Sequence, residues 1–353
     1  MKASIVLSLL LLTIGGVSCK KSTSTVTPPK QKRWIVTTFS GNGIAGFNDG
    51  PNSSASFRAP LDVVVASDGT IYVADAINHR IRKIAQGQVS TFAGVGFEDT
   101  TSGNHAIAGF AFPSYLALDA MDNLYTLDVK DPRVRKVSTA AYVSVVAGNG
   151  TNGFKDAHVD SAEFGNECSG IAVDAEGNIY VLDWRNRRVR KVTVEGEVRT
   201  FAGNGKTGFV NGLADSAEFD NPSGLVIDRQ GNLFVGDQNC IRKITPDGVV
   251  STFSGNHSVM GYKDGEPGEA LFSTINDLTI DEQGNIYASD DNRIRKITPQ
   301  GAVSTLAGSI AGYKDGEASL AQFNDPVGLA VDKQGNVYIA DDHNNRIRKI
   351  SFE

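Results

Sequence analysis

The chain has 353 residues, 40% of them hydrophobic and 21% charged, a balance that supports a packed core and excludes wholesale disorder. Its formal net charge of −6 excludes a general phosphate-backbone binder, which needs surplus positive charge, so no nucleic-acid partner is expected. The 38 glycines exceed the usual share of roughly 7% and point to many tight turns.

At the N-terminus, Lys2 is followed by the apolar run IVLSLLLLTIGG and by small residues ending in VSC. The run is about a dozen residues, short of the roughly 20 that a bilayer-spanning helix needs, and reads as an export signal. It resembles a bacterial lipoprotein signal, with Gly16 standing where such signals carry Leu. The resemblance implies a signal peptide over 1–18, lipidation of Cys19 and a place in the cell envelope, with the membrane reached through the lipid anchor alone. Residues 19–33 follow as a flexible tether: polar, Pro-containing and without periodicity. A coil of that length spans roughly 20 Å. Beyond Cys19 only Cys168 and Cys240 remain. An exported compartment permits a disulfide, but their spacing demands none and offers no metal-binding pattern.

From Trp34 onward the chain repeats. The segments YVAD, YTLD, YVLD, FVGD, YASD and YIAD end at Asp75, Asp128, Asp183, Asp237, Asp290 and Asp341, with spacings of 53, 55, 54, 53 and 51 residues. Each repeat holds four short runs rich in Val, Ile, Phe and Tyr, bounded by turn residues, which is strand chemistry. A Gly-Asn turn joins the first two runs and calls for positive φ at its Gly. Four antiparallel strands in each of six repeats predict an all-β fold, a six-bladed β-propeller over 34–353. The last repeat stops at RIRKISFE without a fourth strand, while WIVTTFSGNG at 34–43 matches the fourth strand of other repeats. The last blade is therefore expected to be closed by the N-terminal strand, leaving no free sheet edge.

Between blades lie glycine-rich stretches such as GNGIAGFNDG (41–50) and GNGTNGFKDA (148–157). They are expected to run from the outer strand of one blade to the inner strand of the next. Their aspartates, Asp49, Asp156, Asp264 and Asp315, would hold the turn by bonding nearby amides. The phenylalanine of each following SASF, SAEF or LAQF would plug the groove between blades. As a whole the pattern, exemplified by NPSGLVIDRQGNLFVGDQNCIRKI (221–244), resembles the NHL repeat family of β-propellers. That resemblance implies a platform for protein, RNA or carbohydrate and, less often, a lyase.

Features common to every blade read as scaffold; a site on the axis should lie where blades differ. The RIRKI-type third strands hold 17 of the 34 basic residues, spread over all six blades, and each has an upstream Asp as its ion partner. His79, His105, His158, His257 and His343 show no metal spacing, and neither a nucleophile elbow nor a phosphate loop is present. The first strands carry Gly170, Gly224 and Gly328 where other blades have Asp62, Tyr115 and Asp277. Trp184 is the one aromatic directly after a second-strand Asp. Asp62, Tyr115, Asp277 and Trp184 are thus expected to gather on one face as a ligand site, with no cofactor, or with Ca²⁺ held by the two aspartates. The predicted function is a monomeric binding platform for a protein or glycan. A metal-assisted lyase or hydrolase at the channel mouth is the alternative.

Overall fold

A computed structural model describes residues 32–353. The expected signal peptide, the lipid site at Cys19 and most of the tether lie outside the described residues. Six antiparallel sheets follow one another along the chain. Blade 1 takes Pro60–Val65, Ile71–Asp75, Arg80–Ala85 and Gln88–Ala93 as its first to fourth strands. Blades 2 to 5 begin at Pro113–Leu118, Ile171–Val173, Pro222–Ile227 and Ile275–Ile280. The first strands contact one another in an unbroken cycle that returns from blade 6 to blade 1, so they line the axis of a closed ring.

Blade 6 is completed as expected. Its strands Pro326–Val331, Val337–Asp341 and Arg346–Phe352 are capped on the outside by Trp34–Ser40. The register pairs Trp34 with Phe352, Val36 with Ile350 and Thr38 with Arg348, and Val36 is fully buried. The turn glycines behave as expected too: Gly69, Gly177, Gly231, Gly284 and Gly335 all have φ between 80° and 90°.

The hydrophobic core lies between blades. Phe57 packs with Val63 and Val73 of its own blade and with Ala330, Tyr338 and Ala340 of blade 6. Phe110, Phe164, Phe219, Phe272 and Phe323 repeat the arrangement at the other five junctions. Burying each such side chain contributes roughly 1.5–3 kcal/mol, and each plug is shared by two sheets.

The glycine-rich connections do more than cross over. Gly50–Pro51 first pairs with Gln88 and Val89, adding a two-residue fifth strand to the outside of the blade it is about to enter. Gly103–Asn104, Ala157–His158 and Gly316–Glu317 do the same, and single bridges from Gly212 to Val250 and from Gly265 to Val303 serve blades 4 and 5. Their aspartates have a different task from the one expected. One oxygen of Asp156 accepts from Arg190 at 2.6 Å and the other from the amide of Thr200 on the fourth strand at 2.9 Å. The loop is thereby tied to the blade it overlies.

The arginine it meets is the centre of the scaffold. Arg82, Arg135, Arg190, Arg242, Arg295 and Arg348 are all fully buried. Five of them reach the second-strand aspartate of the same blade, at 2.7 Å for Asp75, 3.0 Å for Asp183, 2.8 Å for Asp237, 2.6 Å for Asp290 and 2.7 Å for Asp341. In blade 2, Arg135 turns to Asp131 instead, and Asp128 accepts backbone amides of Ala111, Phe112 and Lys130. Each guanidinium also lies over the plug phenylalanine, as Arg190 does over Phe164 at 5.1 Å. This confirms the basic tract as framework.

Candidate functional site

The first strands run along the axis with the third residue of each close to its neighbours. A β-carbon on Gly224 would fall 2.8 Å from the backbone of Asp277, and one on Gly170 would fall 2.8 Å from Leu225. On Gly328 it would run into Asp62. The small residue of one blade therefore makes room for the larger residue of the next.

The four residues expected to share one face divide between two cavities. Asp62 and Asp277 are buried inside the ring and use their carboxylates to staple blades together. Asp62 accepts from the amide of Leu116 in blade 2 at 2.7 Å, and Asp277 from that of Leu329 in blade 6 at 3.1 Å. Burial raises the Asp62 carboxyl well above its ordinary range and the Asp277 charge raises it further, against the amides of Leu116 and Val63. Burial likewise pushes Asp277 up to about 7. Both line a cavity of about 260 Å³ whose other lining side chains are aliphatic apart from Tyr115 and Thr279, formed by the far halves of the first strands.

Trp184 lies at the other end of the ring, in the one-turn 3-10 segment Trp184–Asn186 that follows Asp183. Its indole N–H donates to Asn221 of blade 4 at 2.8 Å, and the Arg187 guanidinium stands 4.7 Å from the ring centre. With Glu167, Ser169, Asn221 and Ser223 it borders an open pocket of about 290 Å³. Arg185 fixes Glu167 through a 2.9 Å ion pair. Tyr115 borders both cavities and separates them, and the charges of Asp277 and Asp62 add to burial in raising its phenol.

Sequence reasoning missed a third group. Asp325, Asp342 and His343 offer one ligand atom each, all within 4.8 Å of one another, at the end of blade 6 that carries the inter-blade connections. Burial pushes Asp342 up to about 6. Among the described residues the set is present in one blade alone and could hold a divalent cation. The signal available in the sequence was Asp342-His343 directly after the last repeat segment, YIAD at 338–341. Cys168 and Cys240 are both buried and unpaired.

Residues 57–84, 166–192 and 323–350 match the NHL repeat. Three of the six blades carry NHL repeats. These three segments are the blades that carry a 3-10 turn after the second strand, at Ala76–Asn78, Trp184–Asn186 and Asp342–Asn344. In each the turn's last Asn bonds the second-strand aspartate, at 2.8 to 2.9 Å. Blades 2, 4 and 5 have shorter loops there. Among curated proteins the NHL propeller is similar to Protein SUPPRESSOR OF QUENCHING 1, chloroplastic, of Arabidopsis thaliana, at 28% identity over 287 residues. The match covers 75% of this chain, which spans 27% of that relative's length. Among solved structures it is similar to a structural genomics protein of unknown function from Bacteroides thetaiotaomicron, with TM-score 0.71 and 26% identity over 92% of this chain and 77% of the other. An auxiliary nutrient binding protein from the same organism shares the fold at TM-score 0.69 and 18% identity, covering 92% and 77% of the two chains.

Proposed function

We propose that this NHL propeller is an exported, lipid-anchored platform that binds a carbohydrate in the pocket beside Trp184. The observation that carries this reading is the fixed indole: Asn221 locks its edge and Arg187 supports the ring. An immobile aromatic surface costs little entropy on binding. Around it stand a carboxylate, two hydroxyls and an amide, donors and acceptors for a polyhydroxylated ligand, while the ring takes the apolar face of a sugar. Solved relatives at this similarity share the fold alone, so the ligand class rests on the pocket.

A glycan array probed with the purified protein tests the proposal. Binding to one glycan class, lost in Trp184→Ala with unchanged thermal unfolding, is the expected result. A Trp184→Ala variant that retains every glycan contact of the parent removes the pocket from consideration.

A further inference from the structure

Nine aspartates are buried among the described residues. Six are ion-paired to arginine: Asp75, Asp131, Asp183, Asp237, Asp290 and Asp341. Asp128 instead accepts three backbone amides. Asp62 and Asp277 remain, 4% and 6% exposed, and no basic side chain pairs with either. They also repel each other, since the Asp277 charge acts on Asp62. Buried charge is ordinarily matched by an opposite charge or a metal. Here both carboxylates border an accessible cavity, which leaves room for a partner from outside the chain.

The cavity decides what kind of partner. Its volume is about 260 Å³, equivalent to about eight or nine water-sized groups. Beyond Asp62, Asp277, Tyr115 and Thr279 its lining side chains are aliphatic, with Val65, Leu118 and Ile280 toward the hairpin-turn end. Two carboxylates, the Tyr115 phenol and the Thr279 hydroxyl are the side-chain oxygens on offer, at the lower limit of the six to eight that calcium takes. A protonated primary amine needs three acceptors, and two carboxylates with one phenol oxygen provide three. Its alkyl chain would displace water from the valine and leucine side chains.

We infer that the axial cavity is a second binding site, independent of the Trp184 pocket, for a small unbranched primary alkylammonium whose head lies between Asp62 and Asp277 under the Tyr115 hydroxyl. The ligand would satisfy the two charges that the chain leaves unmatched.

Calorimetric titration of the purified protein with n-hexylammonium and with 1-hexanol at pH 8 tests this. The ammonium should bind at least tenfold more tightly than the alcohol, and Asp277→Asn should weaken it at least tenfold. Trp184→Ala should leave it unchanged, which separates this site from the carbohydrate pocket. Affinity should fall as the pH is lowered to 5, because the carboxyl pair takes up a proton in competition with the ligand. Equal affinity for the alcohol overturns the inference, and so does full retention in Asp277→Asn or loss in Trp184→Ala. Should Asp277→Asn not fold, the comparison of amine with alcohol on the parent protein decides by itself.

Discussion

Arg190 and Asp183 lie 3.0 Å apart in blade 3, and neither side chain reaches solvent. A second carboxylate, Asp156, sits 2.6 Å from the same guanidinium on its outer side. The arginine also donates to the carbonyls of Glu163 and Lys155. One side chain thus joins the second strand, the inter-blade loop and the plug residue.

Removing such an arginine leaves Asp183 charged and buried. Breaking a buried pair from one side costs about 3–5 kcal/mol. Arg190→Ala should lower stability by that order in a urea titration, whereas Arg185→Ala, at an exposed ion pair, should cost less than about 1 kcal/mol. Equal losses for the two variants would refute the scaffold role.

Stability should also depend on the axial aspartates in a defined pH window. In the folded protein Asp277 is raised to about 7, whereas unfolded Asp titrates near 3.9. Between these values the folded state holds more protons, so this group's contribution falls as the pH rises from about 4 to about 7. Asp277→Asn removes the penalty. Its melting temperature should match the parent at pH 4 and exceed it at pH 8, read by differential scanning fluorimetry. A variant less stable than the parent at pH 8 counts against an unmatched charge.

The ring's closure is open to a direct test. Deleting residues up to Ser40 exposes the edge of Arg346–Phe352 and removes the buried Val36. The truncated chain should melt at a lower temperature and aggregate as its concentration rises, since an unpaired strand edge templates association. An unchanged melting temperature would speak against closure by this strand.

The two core thiols should be inert. Burial pushes Cys240 up to about 12 and raises Cys168 well above its ordinary value, and reactivity follows the thiolate. In a Cys19→Ser variant, a colorimetric thiol reagent should find almost no free sulfhydryl in the native protein and two after denaturation. Rapid reaction in native buffer would contradict the packing around them.

Much of this fold was legible because each blade repeats the same local instructions. The four-residue segments ending at Asp75 through Asp341 mark equivalent points, and the orphan strand at Trp34 announces the closure. Less legible was anything that depends on distance from the axis. The fifth edge strand, Gly50–Pro51, is two residues long and has no alternation to detect. Asp62 and Asp277 stood out as departures from the Gly pattern, but period alone says which blade a residue occupies and not how deep it lies. Their acceptor bonds run to Leu116 and Leu329, more than fifty residues away, and leave no local mark. Tyr115 and Trp184 border one pocket, whereas Asp62 and Asp277, grouped with them by their departure from the repeat, line another.

Trp34 lies beside Phe352, whereas Asp341 stands at the opposite end of blade 6, paired with Arg346 and Pro326. Asp183, and with it Trp184, occupies that same opposite end of blade 3. The described chain therefore enters blade 6 at the hairpin-turn end, opposite the surface that carries the indole.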